Sequence, residues 1–449
     1  MKQEQQIILQ KREEFRNEIR NQRNEQLFSR KRMSSSCIAS DSLIQILQYT
    51  NIENEESAVL ALKQNIPQRI ISSIFISDVN INYVEDLLKN NRLLLVESLY
   101  FFNSFTANAN EDLIKQSIQY NFLSYLVSLY VNFCNMITEN SDILYIIDYL
   151  DCIFYNLILS KIEFQAYDKK LITESIEQIV LLNKFQNFSL QAKECLLALY
   201  SKLNLTFDIN NALLICSSIL HNNRIKELIQ IVVKLIIKVF QQSARENKKT
   251  LELFIGQIKK LNITERLVQL IDEFPNQIID FFKYVSNHQK SITTEIITFQ
   301  QASLIYQKWK SFDRALFYQF LANIISTYKI ILTDVLQNQQ LLDEIYFTLQ
   351  TKLNKESKEA FYLICTIVKE NSSDYSNHHF VGIINQYFLN CHQIEEYKFY
   401  VNLILQDPSV LSQNCPNSVK TKLESLIQFP ELETLVQRIL NDDFQIILQ

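Results

Sequence analysis

Apolar residues recur at i, i+3 and i+4 along most of the chain, the spacing that gathers them on one face of an α-helix. Leu94-Leu95-Val96-Leu99-Phe102, Ile143-Leu144-Ile147-Leu150-Ile153-Phe154-Leu157 and Ile229-Ile231-Val232-Leu235-Ile236-Val239-Phe240 show the pattern most clearly. From about residue 41 onward, such segments of about ten to sixteen residues alternate with brief polar breaks, among them Ala107-Asn108-Ala109-Asn110-Glu111-Asp112 and Ser372-Ser373-Asp374-Tyr375-Ser376-Asn377. The pattern predicts more than about twenty short helices. That many helices cannot share one compact core, because most would find no apolar surface to bury against; stacking helical repeats solves the problem.

Stacked repeats leave a period. Helices of the form acid-small-x-aromatic/apolar-x-x-x-polar-apolar align with anchors at Tyr100, Cys152, Leu197, Gln319 and Tyr362, separated by 52, 45, 122 and 43 residues. The interval of 122 is three steps of about 41, the size of an armadillo or HEAT unit. The predicted fold class is therefore all-α: an armadillo/HEAT-like superhelical solenoid preceded by a basic helical arm.

Composition supports this. Only two glycines, Gly256 and Gly382, and five prolines punctuate the 449 residues. Sandwiches, barrels and doubly wound sheets need glycine at turns and phosphate loops, so nucleotide-binding α/β folds are nearly excluded and helices joined by short polar turns are expected. With 47% hydrophobic residues the chain is not a disordered polymer.

Charge divides the chain. Residues 1–33 hold nine Lys/Arg against five Glu, net +4; the remaining 35 basic and 44 acidic side chains give residues 34–449 a net charge of −9. A basic arm (1–33), a linker (34–41) rich in serine, and an acidic repeat body (42–449) follow. Ile8, Phe15 and Ile19 in the arm share a helical face but offer too little apolar surface to fold alone. An acidic body repels nucleic-acid phosphates and attracts basic peptides, its own arm included. On a short flexible tether the arm sits near the body at an effective concentration on the order of mM.

The eight cysteines form no C-x-x-C pair and no apolar leader opens the chain, so the expectation is reduced, mostly buried thiols in an intracellular protein. Gln116 to Thr138 carries no charge over 23 residues, yet its Ser, Asn and Gln content predicts a buried repeat helix rather than a membrane span. His378-His379 and Cys391-His392 are the only His/Cys clusters and lack the four matched ligands of a zinc site. Glu395-Glu396 and Asp442-Asp443 are expected on solvated helix faces. With no Gly-rich loop or nucleophile-base order, the chain is expected to be no enzyme and to take no cofactor.

The arm has a more specific pattern: Lys11-Arg12-Glu13-Glu14-Phe15, then Glu18-Ile19-Arg20, Glu25-Gln26-Leu27 and Arg30-Lys31-Arg32. In order and spacing it resembles the importin-beta-binding segment of the importin alpha family over about 22 residues. Leu423-Glu424-Ser425-Leu426 followed by Glu431, Val436, Ile439-Leu440 and Phe444 is similar to that family's last helix pair, although its usual aromatic falls on Glu433. In the family, the third helix of each repeat presents a Trp and, four residues on, an Asn. The indoles form slots for Lys stems of a localisation peptide, and the amides bond its backbone.

This ladder is only partly kept. Tyr100 stands at the aromatic position with Ser104 at the amide position; Asn156 is kept beside Cys152; Asn323 is kept beside Gln319; Tyr362 is kept with Thr366 at the amide position. The only tryptophan, Trp309, fits neither ladder.

The resemblance implies an adaptor that links nuclear cargo proteins to importin beta and shuttles between cytoplasm and nucleus, without membrane insertion or direct nucleic-acid contact. It implies importin-beta contacts at Lys11, Arg12, Arg16, Arg20, Arg23, Arg30, Lys31 and Arg32, and cargo contacts at Tyr100, Ser104, Asn156, Asn323 and Tyr362. Engagement of a nuclear export receptor by the C-terminal repeats is left open. So is an alternative class: a helical-repeat scaffold outside transport whose arm binds another acidic partner or RNA.

Overall fold

The computed structural model describes residues 38–50, 52–74, 81–117, 120–136, 141–181, 188, 190–203, 208–222, 225–351, 354–371, 378–406, 410 and 416–443. Among them are 25 α-helices and no strand, so the chain is all-α, as its apolar spacing predicts. The arm and all eight of its predicted contact residues lie outside the described residues. Two compact units form, Met1–Asn211 and Ala212–Gln449.

The first unit contains α1 (Ile38–Tyr49), α2 (Glu55–Lys63), α3 (Ile66–Ile74), α4 (Ile81–Asn90), α5 (Arg92–Asn108), α6 (Glu111–Ser117), α7 (Tyr120–Asn135), α8 (Ser141–Leu159), α9 (Ala166–Leu181) and α10 (Leu190–Leu203). Helix α11 (Ile209–Asn222) spans the junction. The second unit continues with α12 (Lys226–Glu246), α13 (Lys248–Lys260), α14 (Ile263–Gln269), α15 (Pro275–Ser286), α16 (Lys290–Ile296), α17 (Phe299–Gln307), α18 (Arg314–Thr327), α19 (Lys329–Gln337) and α20 (Gln339–Thr351). It closes with α21 (Lys355–Glu370), α22 (His378–Asn390), α23 (Ile394–Gln406), α24 (Pro416–Leu426) and α25 (Glu433–Arg438).

Each unit is built on a ladder of helices that pack on the next of their kind. In the first, α5 packs on α8 and α8 on α10; in the second, the order is α12, α15, α18, α21, α23. Ladder helices begin at residues 92, 141 and 190 in the first unit and at 226, 275, 314, 355 and 394 in the second, with two or three described helices to each step, a repeat-like arrangement. The anchors Tyr100, Cys152, Leu197, Gln319 and Tyr362 all fall on ladder helices. In the chain, α12 and α15 fill the interval of 122 residues.

Side chains explain the boundaries. With glycine absent from nearly every turn, asparagine takes over two of its roles. Asn54 and Asn354 cap α2 and α21 through reciprocal bonds with Ser57 and Ser357. Asn65 and Asn262 adopt left-handed backbone, with φ of 54° and 51°, where chains of ordinary composition use glycine. The predicted break 107–112 shrinks to Ala109-Asn110, because Asn108 prolongs α5 by donating to Ile52 O and Ser104 O, and Asn110 accepts from Leu113 N to start α6. Likewise α1 begins at Ile38, inside the polar stretch 34–41. Extending a helix already anchored by buried Leu43 and Leu47 costs little.

The uncharged stretch 116–138 contains α7, whose Phe122, Leu126, Leu129, Tyr130 and Phe133 are buried against neighbouring helices. Among the described residues no helix is long and apolar enough to cross a membrane. At the other end α24 and α25 pair, burying Leu423, Leu426, Val436 and Ile439; Phe444 lies outside the described residues.

Candidate peptide-binding ladders

The two amides expected in the groove, Asn156 and Asn323, bond neighbouring helices inside the stacks. Asn156 on α8 is 5% exposed and its Nδ2 donates to Oδ1 of Asn103 (3.2 Å) and Oγ1 of Thr106 (3.3 Å), both on the preceding ladder helix α5. Asn323 on α18 repeats the arrangement in the second unit, donating to Oγ of Ser286 on α15 (3.3 Å). Each amide bridges neighbouring rungs. Ser104 is buried, and Thr366 donates back to the carbonyl of Tyr362 within its own helix (2.8 Å).

Asn156→Ala should therefore act on stability. Removing a buried donor while leaving Asn103 and Thr106 in place costs about 1–3 kcal/mol. Urea denaturation should show this loss, while titration of a basic peptide should show affinity within about twofold of the parent chain. A large affinity loss with unchanged stability would place the amide in the groove after all.

Tyr100 and Tyr362 are half-buried, each in an aromatic cluster with at least one carboxylate nearby. In the first unit, the Tyr100 ring meets Tyr149 edge-on (6.2 Å, 82°), and Tyr149 meets Tyr145 (4.9 Å) with their hydroxyls 2.9 Å apart. Glu97, on the same helix as Tyr100, is almost entirely buried. Burial pushes the Tyr149 phenol well up, and Tyr145, Tyr100 and the charge of Glu97 add to it. The Tyr149 phenol therefore stays neutral, its ring near the Glu97 carboxylate.

In the second unit, Tyr362 packs on Phe399 (4.7 Å between centroids) across α21 and α23. Burial raises the Tyr362 phenol, and Glu396, Glu359 and Glu395 raise it further. Lys358 already lies over this ring, its Nζ 5.8 Å from the centroid, and pairs with Glu395 (3.7 Å). An intrinsic lysine thus makes the contact that a ring-and-carboxylate pocket offers a cation.

Sequence reasoning missed Tyr145, Tyr149 and Phe399, because the repeat alignment assigns one aromatic position per helix and these come from the next rung. It also misplaced Glu396. Expected on a solvated face, Glu396 is 4% exposed and accepts from the Tyr387 hydroxyl (2.9 Å), because it lies at the α22–α23 contact. Trp309 sits in a 3-10 turn ahead of α18, where Arg314 stacks on its ring (4.8 Å) and donates to its carbonyl (3.0 Å). It braces a turn and belongs to no ladder. Among the described residues no group of three or more His, Cys, Asp or Glu is assembled to hold a metal ion.

Asp151 on α8 lies next to this surface but faces inward. It is fully buried, and neither carboxylate oxygen meets a hydrogen-bond partner. Burial raises it well above the usual carboxylate range; the nearby Tyr130 hydroxyl opposes the shift, and Asp148 adds to it. A carboxyl whose folded pKa is raised contributes most to stability below its unfolded pKa of about 3.9, and that contribution is lost as pH rises. Asp151→Asn should thus stabilise the protein by roughly 2–4 kcal/mol near pH 7, the gap closing toward pH 4. Denaturation at both pH values checks this; destabilisation of equal size at each would mean the carboxyl makes a specific bond.

Neither a protein-family model nor a curated protein matches the chain.

Proposed function

We propose that this chain is a divergent nuclear import adaptor of the importin alpha kind. Residues 11–32 bind importin beta, and the helical-repeat body carries protein cargo between cytoplasm and nucleus. The observation that carries the reading is the ordered arm, with its basic start, Glu18-Ile19-Arg20, Glu25-Gln26-Leu27 and terminal Arg30-Lys31-Arg32, joined by a short linker to a body of opposite charge. The all-helical, repeat-like body and its tyrosine-carboxylate clusters support it, since aromatic rings beside carboxylates favour cationic side chains.

In this mechanism importin beta wraps the arm and withdraws Arg30-Lys31-Arg32 from the body, which then accepts cargo. When importin beta leaves, the arm returns and competes the cargo off. The ladder accommodates this with fewer lysine slots than the family uses, because Cys152 and Gln319 stand where indoles would and the amides of Asn156 and Asn323 bond neighbouring helices. Cargo is accordingly read through a folded surface or a longer peptide, with Tyr100 and Tyr362 as cation contacts. The testing experiment is capture of importin beta by the full-length chain and by its arm variant. Retained binding to RNA or to another acidic protein, with no importin beta capture, would favour a scaffold outside transport.

A further inference from the structure

The two sulfurs of Cys152 and Cys195 stand on adjacent ladder helices, α8 and α10, 43 residues apart in sequence and 3.7 Å apart in space, with the S–H of Cys152 donated to Sγ of Cys195. We propose that this pair is a peroxide-responsive dithiol, closing to a disulfide that ties α8 to α10. The inference is independent of the reading of the arm.

Two features, the sulfur contact and its hydrogen bond, single the pair out. Its sulfurs are already in van der Waals contact, and an approach of roughly 1.6 Å reaches the disulfide bond length of about 2.05 Å. Exposure does not set them apart, since Cys195 is 8% and Cys152 4% exposed against 7% for Cys134; the sulfur contact does. The donated S–H orders the chemistry. The bond to Cys195, with burial, holds the Cys152 proton in place, making Cys152 the resolving thiol and Cys195 the sulfur oxidised first.

The oxidant is a peroxide. The sulfur of Cys195 attacks one peroxide oxygen; an S–O bond forms, the O–O bond breaks, and the departing hydroxide takes the thiol proton and leaves as water. Cys152 sulfur then attacks the sulfenic sulfur of Cys195; the S–S bond forms, the S–O bond breaks, and the second hydroxide leaves with the Cys152 proton as water. Two thiols lose two electrons and one hydrogen peroxide becomes two waters. A dithiol reductant reverses the step.

The tie would join the helix carrying Tyr145 and Tyr149 to its neighbour, fixing the spacing of these two rungs. It closes a 43-residue loop, which constrains the unfolded chain.

The test uses the full-length protein and hydrogen peroxide at about one to ten equivalents. Free thiols are then alkylated and the digest mapped by mass spectrometry. The expected result is a Cys152–Cys195 linked peptide, about 2 Da lighter than the sum of its reduced parts and reversed by dithiothreitol. The thermal midpoint of the oxidised protein should rise by roughly 5–10 °C. In Cys152→Ser, Cys195 should stop at the sulfenic acid and be captured by dimedone. If both residues remain alkylated while Cys37 is oxidised, or if Cys195 pairs mainly with other cysteines, the proposal is overturned. Should Cys152→Ser fail to fold, the wild-type peptide map decides alone.

Discussion

Replacing Arg16, Arg20, Arg23, Arg30, Lys31 and Arg32 together by alanine should abolish importin beta binding by the full-length chain while leaving its helical body intact. The substitution turns an arm of net +4 into one of net −2. Each charge-assisted contact to an acidic partner contributes about 0.5–2 kcal/mol. Even at the lower limit six of them amount to about 3 kcal/mol, two decades in dissociation constant. Parent binding should also weaken steeply with salt, since the contacts are exposed and screened. Equilibrium binding to purified importin beta measures the loss, and far-ultraviolet circular dichroism establishes that the body still folds. Undiminished binding by the six-fold variant would remove the main support for the adaptor reading.

Deleting residues 1–33 should raise the affinity for a Lys- and Arg-rich cargo peptide by about 10–100-fold. The tethered arm is present at an effective concentration on the order of mM, and a self-peptide that binds the groove with a dissociation constant of about 10–100 µM would hold it mostly occupied. Removing the arm removes that competitor without touching the body. Importin beta added to the full-length chain should produce much of the same gain, because it draws the arm away by binding it elsewhere. Titration of a labelled peptide into full-length, deleted and importin-beta-bound protein gives all three values. Equal affinities for the first two would mean that the arm does not visit the body.

Both effects start from residues outside the described structure, and the body supplies their context. The all-α class was legible because helical periodicity is local: Leu94, Leu95, Leu99 and Phe102 share a face whatever that face later meets. The ladder spacing was legible for a related reason. A repeat must present the same apolar face to its neighbour each time, so Tyr100, Cys152, Leu197, Gln319 and Tyr362 keep step and all fall on ladder helices. Where the reading departed from the structure, contacts between elements intervened. Glu396 carries a charge that composition places in solvent, yet the Tyr387 hydroxyl and the helix contact around it draw it inside.

The candidate site divides in the same way. Sequence alone located Tyr100 and Tyr362 as aromatics on the repeating helix and grouped the arm's charges into an ordered pattern, because both depend on spacing along one segment. Tertiary structure decided that Asn156 bonds Asn103 and Thr106, that Tyr100 gains Tyr149 and Tyr362 gains Phe399 from the next rung, and that Lys358 lies over the second ring. It also brought Cys152 to Cys195, and buried Asp151 beside the Tyr130 hydroxyl. The physical reason is that periodicity states which way a side chain leaves its helix. What it meets there belongs to another helix, tens of residues away, and is set by how the stack packs.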